Sequence, residues 1–455
     1  MNSISLIGER ARSLLDYLQT AFWIIPACLL VFAGVLACIT LWLDLTLLSG
    51  IDIGQLDWMN ASDLQGVRSL LTATAAAILG VAGVSFSITI ASLTLASQQF
   101  GPRLIRNFMQ DRFIQTVLGV FVATFFYCML SVQLSSVIAD DAYSPLSTLL
   151  VVLVLTVINL LLLVFFIHHI CMAIQADTVI SDVAEEMKLR ADTLFSTALE
   201  DAGTDTSAGT EDLGATAALK QTFDENGQII ESTVDGYIRA IDYAALMQYA
   251  TDHNCQIRLM ARAGDYIMTR SVIAQLLGKD IDENDTPCIN EQIVVGQSRS
   301  PQQDLEYSIR QLVEVALRAL SPGINDPFTA MSCIDRLGTL VNLISTRALP
   351  SATCADDDGK IRLLIDTTSF EGIVESAFNQ IRQGAIGHVD VTIRLLDVIH
   401  DVAKLVQTSA QGAALLHQAE LISAGVEFTD TLKHDEDAIS ERFDALQQTL
   451  ASRFE

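Results

Sequence analysis

Eight polar residues clustered around one proline carry the densest candidate chemistry in the chain: Arg310, Gln311, Arg318, Ser321, Asn325, Asp326, Asp335 and Arg336, with Pro327 among them. If these side chains converge, two acids facing several arginines would hold a small anion or metabolite. The competing reading is structural. Gly323 suits a helix end, and Asp326-Pro327 has the form of an N-cap followed by proline at the first helical position. An ion pair from Arg318 to Asp335 or Asp326 would then fix a helix–turn–helix. Other constellations are weaker. His388, His400 and His417 lack metal-ligand spacing, and Asp356-Asp357-Asp358 read as a solvated loop that cannot aim enough oxygens at a cation. There is no P-loop, GxSxG, HExxH or GxGxxG before a helix, so the chain reads as a non-enzyme with no cofactor and no metal.

A second set of residues has a different chemistry. Gly80, Gly83 and Ser87, with Thr72 and Ala76, recur at helical spacing as a stripe of small side chains. Such stripes let helices approach closely in lipid. Ser85, Thr89, Ser92 and Gln99 form another stripe roughly 60–100° around the same helix. Two readings stand: tight packing with hydroxyls bonded back to the helix, or a wet lumen lined by hydroxyls in a homo-oligomer. The segment ends in Gln98-Gln99-Phe100-Gly101-Pro102-Arg103, where glycine and proline stop a helix and Arg103 and Arg106 reach headgroup phosphate at the membrane interface.

These residues need elements to position them. The chain has 455 residues, 51% of them hydrophobic and only 18% charged, with mean hydropathy +0.40. Residues 1–173 hold nine acids and six bases, leaving −24 of the net −27 to the remainder. Charge-free stretches at 17–43, 69–102, 113–139 and 142–176 predict four membrane-spanning helices over Phe22–Leu43, Leu70–Ala96, Phe113–Val137 and Ser147–Ala173, each long enough for a ~30 Å hydrocarbon core. No Asp, Glu, Lys or Arg falls inside these spans, which argues against a proton-coupled transporter. Asn159 reads as a bond to a neighbouring helix. His168-His169, with no carboxylate near in sequence, leave a relay or metal site as the weaker reading.

Arg10, Arg12, Arg103, Arg106 and Arg112 put both termini and the 97–112 loop in the cytoplasm. Eight scattered cysteines without a CxxC pair agree with a reducing compartment. The acidity excludes nucleic acid as a partner and leaves a cation or small molecule as the ligand class, beside the lipid bilayer itself and a homo-oligomeric assembly.

The expected organisation is a four-helix transmembrane domain over 1–175, a helical extension and flexible linker over 176–217, a small β-rich, barrel-like domain over 218–300, and a mainly α-helical domain over 301–455. The fold class is therefore an α-helical integral membrane protein with a cytoplasmic α+β domain. Within the last part, Val389–Gln411 reads as one helix and Lys360–Asp366 as a short strand.

Two motifs carry a family resemblance: Ser97-Gln98-Gln99-Phe100-Gly101-Pro102-Arg103, and the run from Asp304 through Arg310, Arg318 and Ser321-Pro322-Gly323-Ile324-Asn325-Asp326-Pro327 to Ala330. With them the chain resembles the DUF2254 family of bacterial membrane proteins over nearly its whole length. The resemblance implies an inner-membrane protein with a large cytoplasmic domain and brings no activity with it. Tyr307-Ser308 stand where the family pattern leads one to expect Phe-Gly. The functional expectation is a channel-like pore regulated by its acidic domain; the alternative is a non-transporting sensor or scaffold.

Overall fold

Four long apolar helices account for the first part of the chain: α1 (Ile24–Thr46), α2 (Leu64–Phe100), α3 (Arg112–Val137) and α4 (Leu146–Ala173). All four are long and apolar enough to cross a membrane. The computed structural model describes residues 23–46, 64–101, 111–137, 145–200, 208–425 and 432–454, and the chain divides into two units at Gln175/Ala176.

In the first unit α3 is the central helix and packs on the other three. Val117, Phe121, Tyr127 and Cys128 on it are fully buried. Gly119 lets α1 come close, since a Cβ there would stand 3.0 Å from Pro26 Cα. Val67, Leu71 and Ala75 share a cluster with Tyr127 and Cys128, whereas Ile78 and Ala82 share one with Ile114, Val117 and Phe121. α2 therefore runs antiparallel to α3. The spans exceed their expected bounds, and one consequence is a correction. α1 reaches Thr46 and takes in Asp44, which is fully buried. A carboxylate survives there because α4 begins against it: Asp44 Oδ1 accepts from Ser147 N (2.8 Å), and Oδ2 accepts from Thr148 N (3.3 Å) and Thr148 Oγ1 (2.8 Å). Three donors at a helix N-terminus offset much of the desolvation of the charge.

The second unit opens with α5 (Ala176–Glu200) and α6 (Ala208–Asn226). The expected linker over 201–217 is helical from Ala208 on, where Leu213, Ala215, Ala217 and Leu219 outweigh the glycines; positions 201–207 lie outside the described residues. There follow β1 (Gln228–Glu231), β2 (Gly236–Ile241), α7 (Tyr243–Asp252), β3 (Gln256–Leu259), β4 (Tyr266–Ile267), β5 (Val272–Leu277), α8 (Asp285–Glu291) and β6 (Ile293–Gly296). Then come α9 (Leu305–Ala319), α10 (Pro327–Ser345), β7 (Thr353–Ala355), β8 (Ile361–Leu364), α11 (Phe370–Gly384), α12 (Val389–Ala403), α13 (Ser409–Ala424) and α14 (Lys433–Phe454).

The barrel-like expectation is corrected: the strands make no closed barrel. They form a five-stranded sheet, β1-β5-β3-β8-β7, and a three-stranded sheet, β4-β2-β6. Alternating hydrophobicity marks strands but not their closure. The sheet also reaches past residue 300: β8, from beyond α10, pairs parallel with β3, Ile257 opposite Leu363. Ile230, Ile257, Ile273, Leu276 and Leu363 build the core beneath these sheets. The expected single helix over 389–411 breaks after Ala403, because Thr408 and Gln411 form a capping box that starts α13. α5 packs on α9 and α10 through its buried Val179, Val183 and Met187.

Candidate functional site

The signature residues sit on α9, α10 and the loop that joins them. Asp304 caps α9, accepting from Tyr307 N (3.0 Å). Ile309, Leu312, Val313 and Ala316 bury one face of that helix. The loop closes on itself: Asp326 N donates to Ala319 O (2.8 Å), Asn325 N to Ser321 O (2.9 Å), and Ser321 Oγ to Arg318 O (2.6 Å). Asn325 holds a left-handed backbone (φ 50°), a conformation asparagine tolerates better than most side chains. Asp326 then caps α10, accepting from Thr329 N (3.2 Å) and Thr329 Oγ1 (2.6 Å), with Pro327 in the first turn. That cap was legible in the sequence.

Among the described residues Arg318 does not make the expected ion pair with Asp326 or Asp335. Arg318 reaches Glu314 (3.4 Å) and Arg310 reaches Glu306 (3.4 Å), both one turn away on α9. Asp335 pairs with Arg394 of α12 (2.6 Å). Gln311 is buried, and Arg336 is exposed. The charges therefore disperse instead of converging, because a helical neighbour at i−4 is nearer to each arginine than a residue across the turn. The loop and the first turn of α10 present two large apolar side chains outward: Ile324 is 44% exposed and Phe328 77%.

On α2 the two stripes separate cleanly. Gly80, Gly83 and Ser87 are exposed, and a Cβ added at either glycine meets nothing within 4 Å. Ser85 and Thr89 face the opposite way, about 180° round the helix instead of the expected 60–100°, and are buried within the same chain, so they do not line a lumen between copies. Ser92 is half-buried, and Gln98 and Gln99 are exposed. Thr89 and Ser87 bond back to Ser85 O and Gly83 O (2.9 Å each), a habit of hydroxyls in apolar helices. Phe100 is buried. Pro102, Arg103 and Arg106 lie outside the described residues.

Several charged groups gain partners that sequence spacing hides. His169 does have a carboxylate: its Nε2 lies 2.6 Å from Asp111 Oδ2, and its ring meets Phe113 at 4.7 Å. Asp111 also caps α3, accepting from Phe113 N (2.8 Å). The two residues are 58 positions apart, and only the antiparallel packing of α3 and α4 joins them. In the second unit Asp285 accepts from Lys279 Nζ (2.6 Å), Tyr249 Oη (2.5 Å) and Asp282 N (2.9 Å). Burial alone would raise this carboxyl, but those hydrogen bonds prevail and hold it down to about 2. Asp356, expected as solvated, pairs with Arg362 (2.6 Å), and both side chains are buried.

The histidines stay apart. His400 bonds Thr449 Oγ1 (2.9 Å), and its burial keeps its pKa below the ordinary value. No three metal-ligating side chains lie together among the described residues, and the eight cysteines are free thiols. A cavity bordered by Arg382, His388, Thr392 and Ile439 has about 30 Å³, room for a water and not for a metabolite.

Comparison with known proteins bears on the whole chain. A family model described as predicted membrane protein (DUF2254) matches residues 19–401. The chain is similar to an uncharacterized protein of Mycobacterium tuberculosis, 27% identical over 436 residues that cover 93% of this chain and 80% of the relative. An uncharacterized protein of Mycobacterium bovis matches with the same identity and coverage. No solved structure matches.

Proposed function

The chain belongs to the DUF2254 family of predicted membrane proteins, and from that premise we propose a homo-oligomeric, channel-like protein of the bacterial inner membrane, regulated by its acidic second unit. The observation that carries this reading is the outward face of α2. Gly80, Gly83 and Ser87 leave open space along a helix of 37 residues, and small residues in lipid serve close helix approach. A second copy seated there is the natural occupant. The arginine bias puts both termini and the second unit in the cytoplasm. There the net −24 of residues 174–455 raises the local concentration of cations. The sequence carries no P-loop, GxSxG or HExxH motif, so the reading is of a non-enzyme.

The test is the mass of the purified protein in detergent together with ion flux after reconstitution. An oligomer that dissociates in Gly83→Leu and loses flux supports the proposal. A monomer, or an oligomer without flux under any voltage or tension, overturns it.

A sensor or scaffold is favoured by one observation, the exposed Phe328 in the first turn of α10, beside a loop locked by its own hydrogen bonds. For that reading Phe328→Ser abolishes partner capture from a membrane extract while flux is absent throughout.

A further inference from the structure

Polar side chains in the first unit are unevenly spread along the bundle. From the end that bears Asp44, α3 carries Ser135, Ser131, Tyr127 and Thr124, all buried. Tyr127 Oη donates to Thr40 Oγ1 (3.2 Å), and Asn159 Nδ2 of α4 donates to Thr124 Oγ1 (2.9 Å). There the polar groups stop. Val117, Phe121 and Phe166 are fully buried and, with Ile78, Ala82 and Leu118, fill the next layer. Beyond it the lining turns polar again with buried Gln115 and the Asp111–His169 pair. Thr124 and Gln115 are nine residues apart, about 13 Å along the helix.

Three atoms make this more than a packing pattern. Asn159 Oδ1 is buried and accepts no hydrogen bond. The amide cannot be turned round, because its nitrogen serves Leu155 O (2.6 Å) and the Thr124 hydroxyl already donates to Val120 O (2.8 Å). Ser85 Oγ is likewise buried and unmet. It follows Ala82 on antiparallel α2, which puts it on the Asp111 side of the apolar layer. An unmet polar atom costs about 1–3 kcal/mol, and hydrocarbon supplies no remedy. Internal water does. Ser131 Oγ, on the Asp44 side, is unmet as well, so such atoms stand on both sides of an apolar constriction.

We propose that the four-helix unit of a single chain holds a proton-conducting water path, entered beside Asp44, hydrated to Thr124–Asn159, closed by the Val117–Phe121–Phe166 layer, and resumed at Ser85 toward Asp111–His169. Its ligand class is water and the proton that water carries. Each proton entering at one end displaces another along the hydrogen-bonded chain, so only O–H bonds are exchanged and the membrane gradient drives the net movement. The half-exposed Asp111–His169 pair stands at one mouth. The apolar layer gates by dewetting and excludes hydrated metal ions, for which it offers no oxygen ligands. Asp44, within a span after all, removes the sequence argument against proton traffic.

The path lies inside one chain, so it stands or falls separately from the oligomer. The full chain is reconstituted in liposomes under a potassium diffusion potential, and an internal dye reads proton uptake. Phe121→Ala is expected to raise proton flux about tenfold over the unsubstituted protein by wetting the layer. Asn159→Leu added to it returns flux to that of empty vesicles, while sodium flux stays at the empty-vesicle level. Val117→Ala serves as the second opening variant, and elution volume reports folding for each. Flux that stays linear in protein down to less than one chain per vesicle supports the single-chain path. Proton flux no greater than in empty vesicles for both opening variants, or flux that Asn159→Leu leaves intact, overturns it.

Discussion

The two units satisfy their polar groups in opposite ways. In the first unit hydroxyls mostly bond their own helix one turn back: Thr72 to Arg68 O, Thr94 to Ile90 O, Thr116 to Arg112 O, Thr156 to Val152 O. In the second unit charged groups reach across the fold: Arg262 to Glu306 (2.6 Å), Arg258 to Asp224 (2.6 Å), Arg394 to Asp335 (2.6 Å), and Arg347 to Asp192. The difference follows from solvent. Lipid offers no competing partner, so each helix must satisfy its polar atoms locally. Water lets charges stay exposed until a tertiary contact recruits them. The lesson is that cross-element polar contacts are common in the second unit, whereas in the first many hydroxyls serve their own helix, with Asp44, Asn159, Tyr127–Thr40, Arg68–Ser135 and Asp111–His169 among the contacts that cross between helices.

Four substitutions sharpen that contrast, taken in decreasing order of effect. The largest is expected at Asp304, which caps α9 and accepts from Arg299 Nε (2.7 Å) while buried. Removing it as Asp304→Ala leaves Arg299 without its partner and should cost about 3–5 kcal/mol. Burial pushes this carboxyl up, so Asp304→Asn, which keeps a capping oxygen, should cost less. Chemical denaturation of the purified chain reads both.

Next is the acid sensitivity carried by Asp285. Its folded pKa of about 2 lies below the roughly 3.9 of a free aspartate, so its stabilisation is full above that value and is lost as pH falls through about 2. Melting temperatures between about pH 5 and 2 should fall more steeply for the unsubstituted chain than for Asp285→Asn. Equal slopes would show that Lys279 and Tyr249 do not hold the carboxylate.

Asp335→Ala breaks a pair in which both side chains are 41% exposed, and about 0.2–1 kcal/mol is expected. A much larger loss would mean that cross-element pairing matters even at the surface. Smallest is Thr94→Val on the exposed side of α2, within about 0.5 kcal/mol of no change. A larger loss would break the comparison from the other side.

What sequence reveals divides along the same line. Charge-free stretches locate all four helices because membrane insertion is a property of each segment alone. The Asp326-Pro327 cap is legible for the same reason, since its partner Thr329 is three residues away. Asp111 and His169 escape notice because their contact exists only once α3 and α4 have packed. Arg318 and Asp335 look like partners in sequence, but each finds a nearer or better-aimed charge. The break between α12 and α13 is marked by Thr408 and Gln411 without a proline or glycine, so hydrophobic periodicity runs through it. Strand alternation around 218–300 gives the strands but has no information on whether β8 will join them.

That late-joining strand has a consequence for how the protein is made. Ile257 and Leu363 are neighbours in the sheet, yet more than a hundred residues, including α9 and α10, must leave the ribosome between them. Pairing over such a separation is slow. Until Leu363 emerges, β3 has only β5 beside it, and its other edge waits open. An exposed edge is where chains stick to one another. Truncation before β8 should therefore yield a chain that inserts its four helices normally and aggregates through its water-facing part.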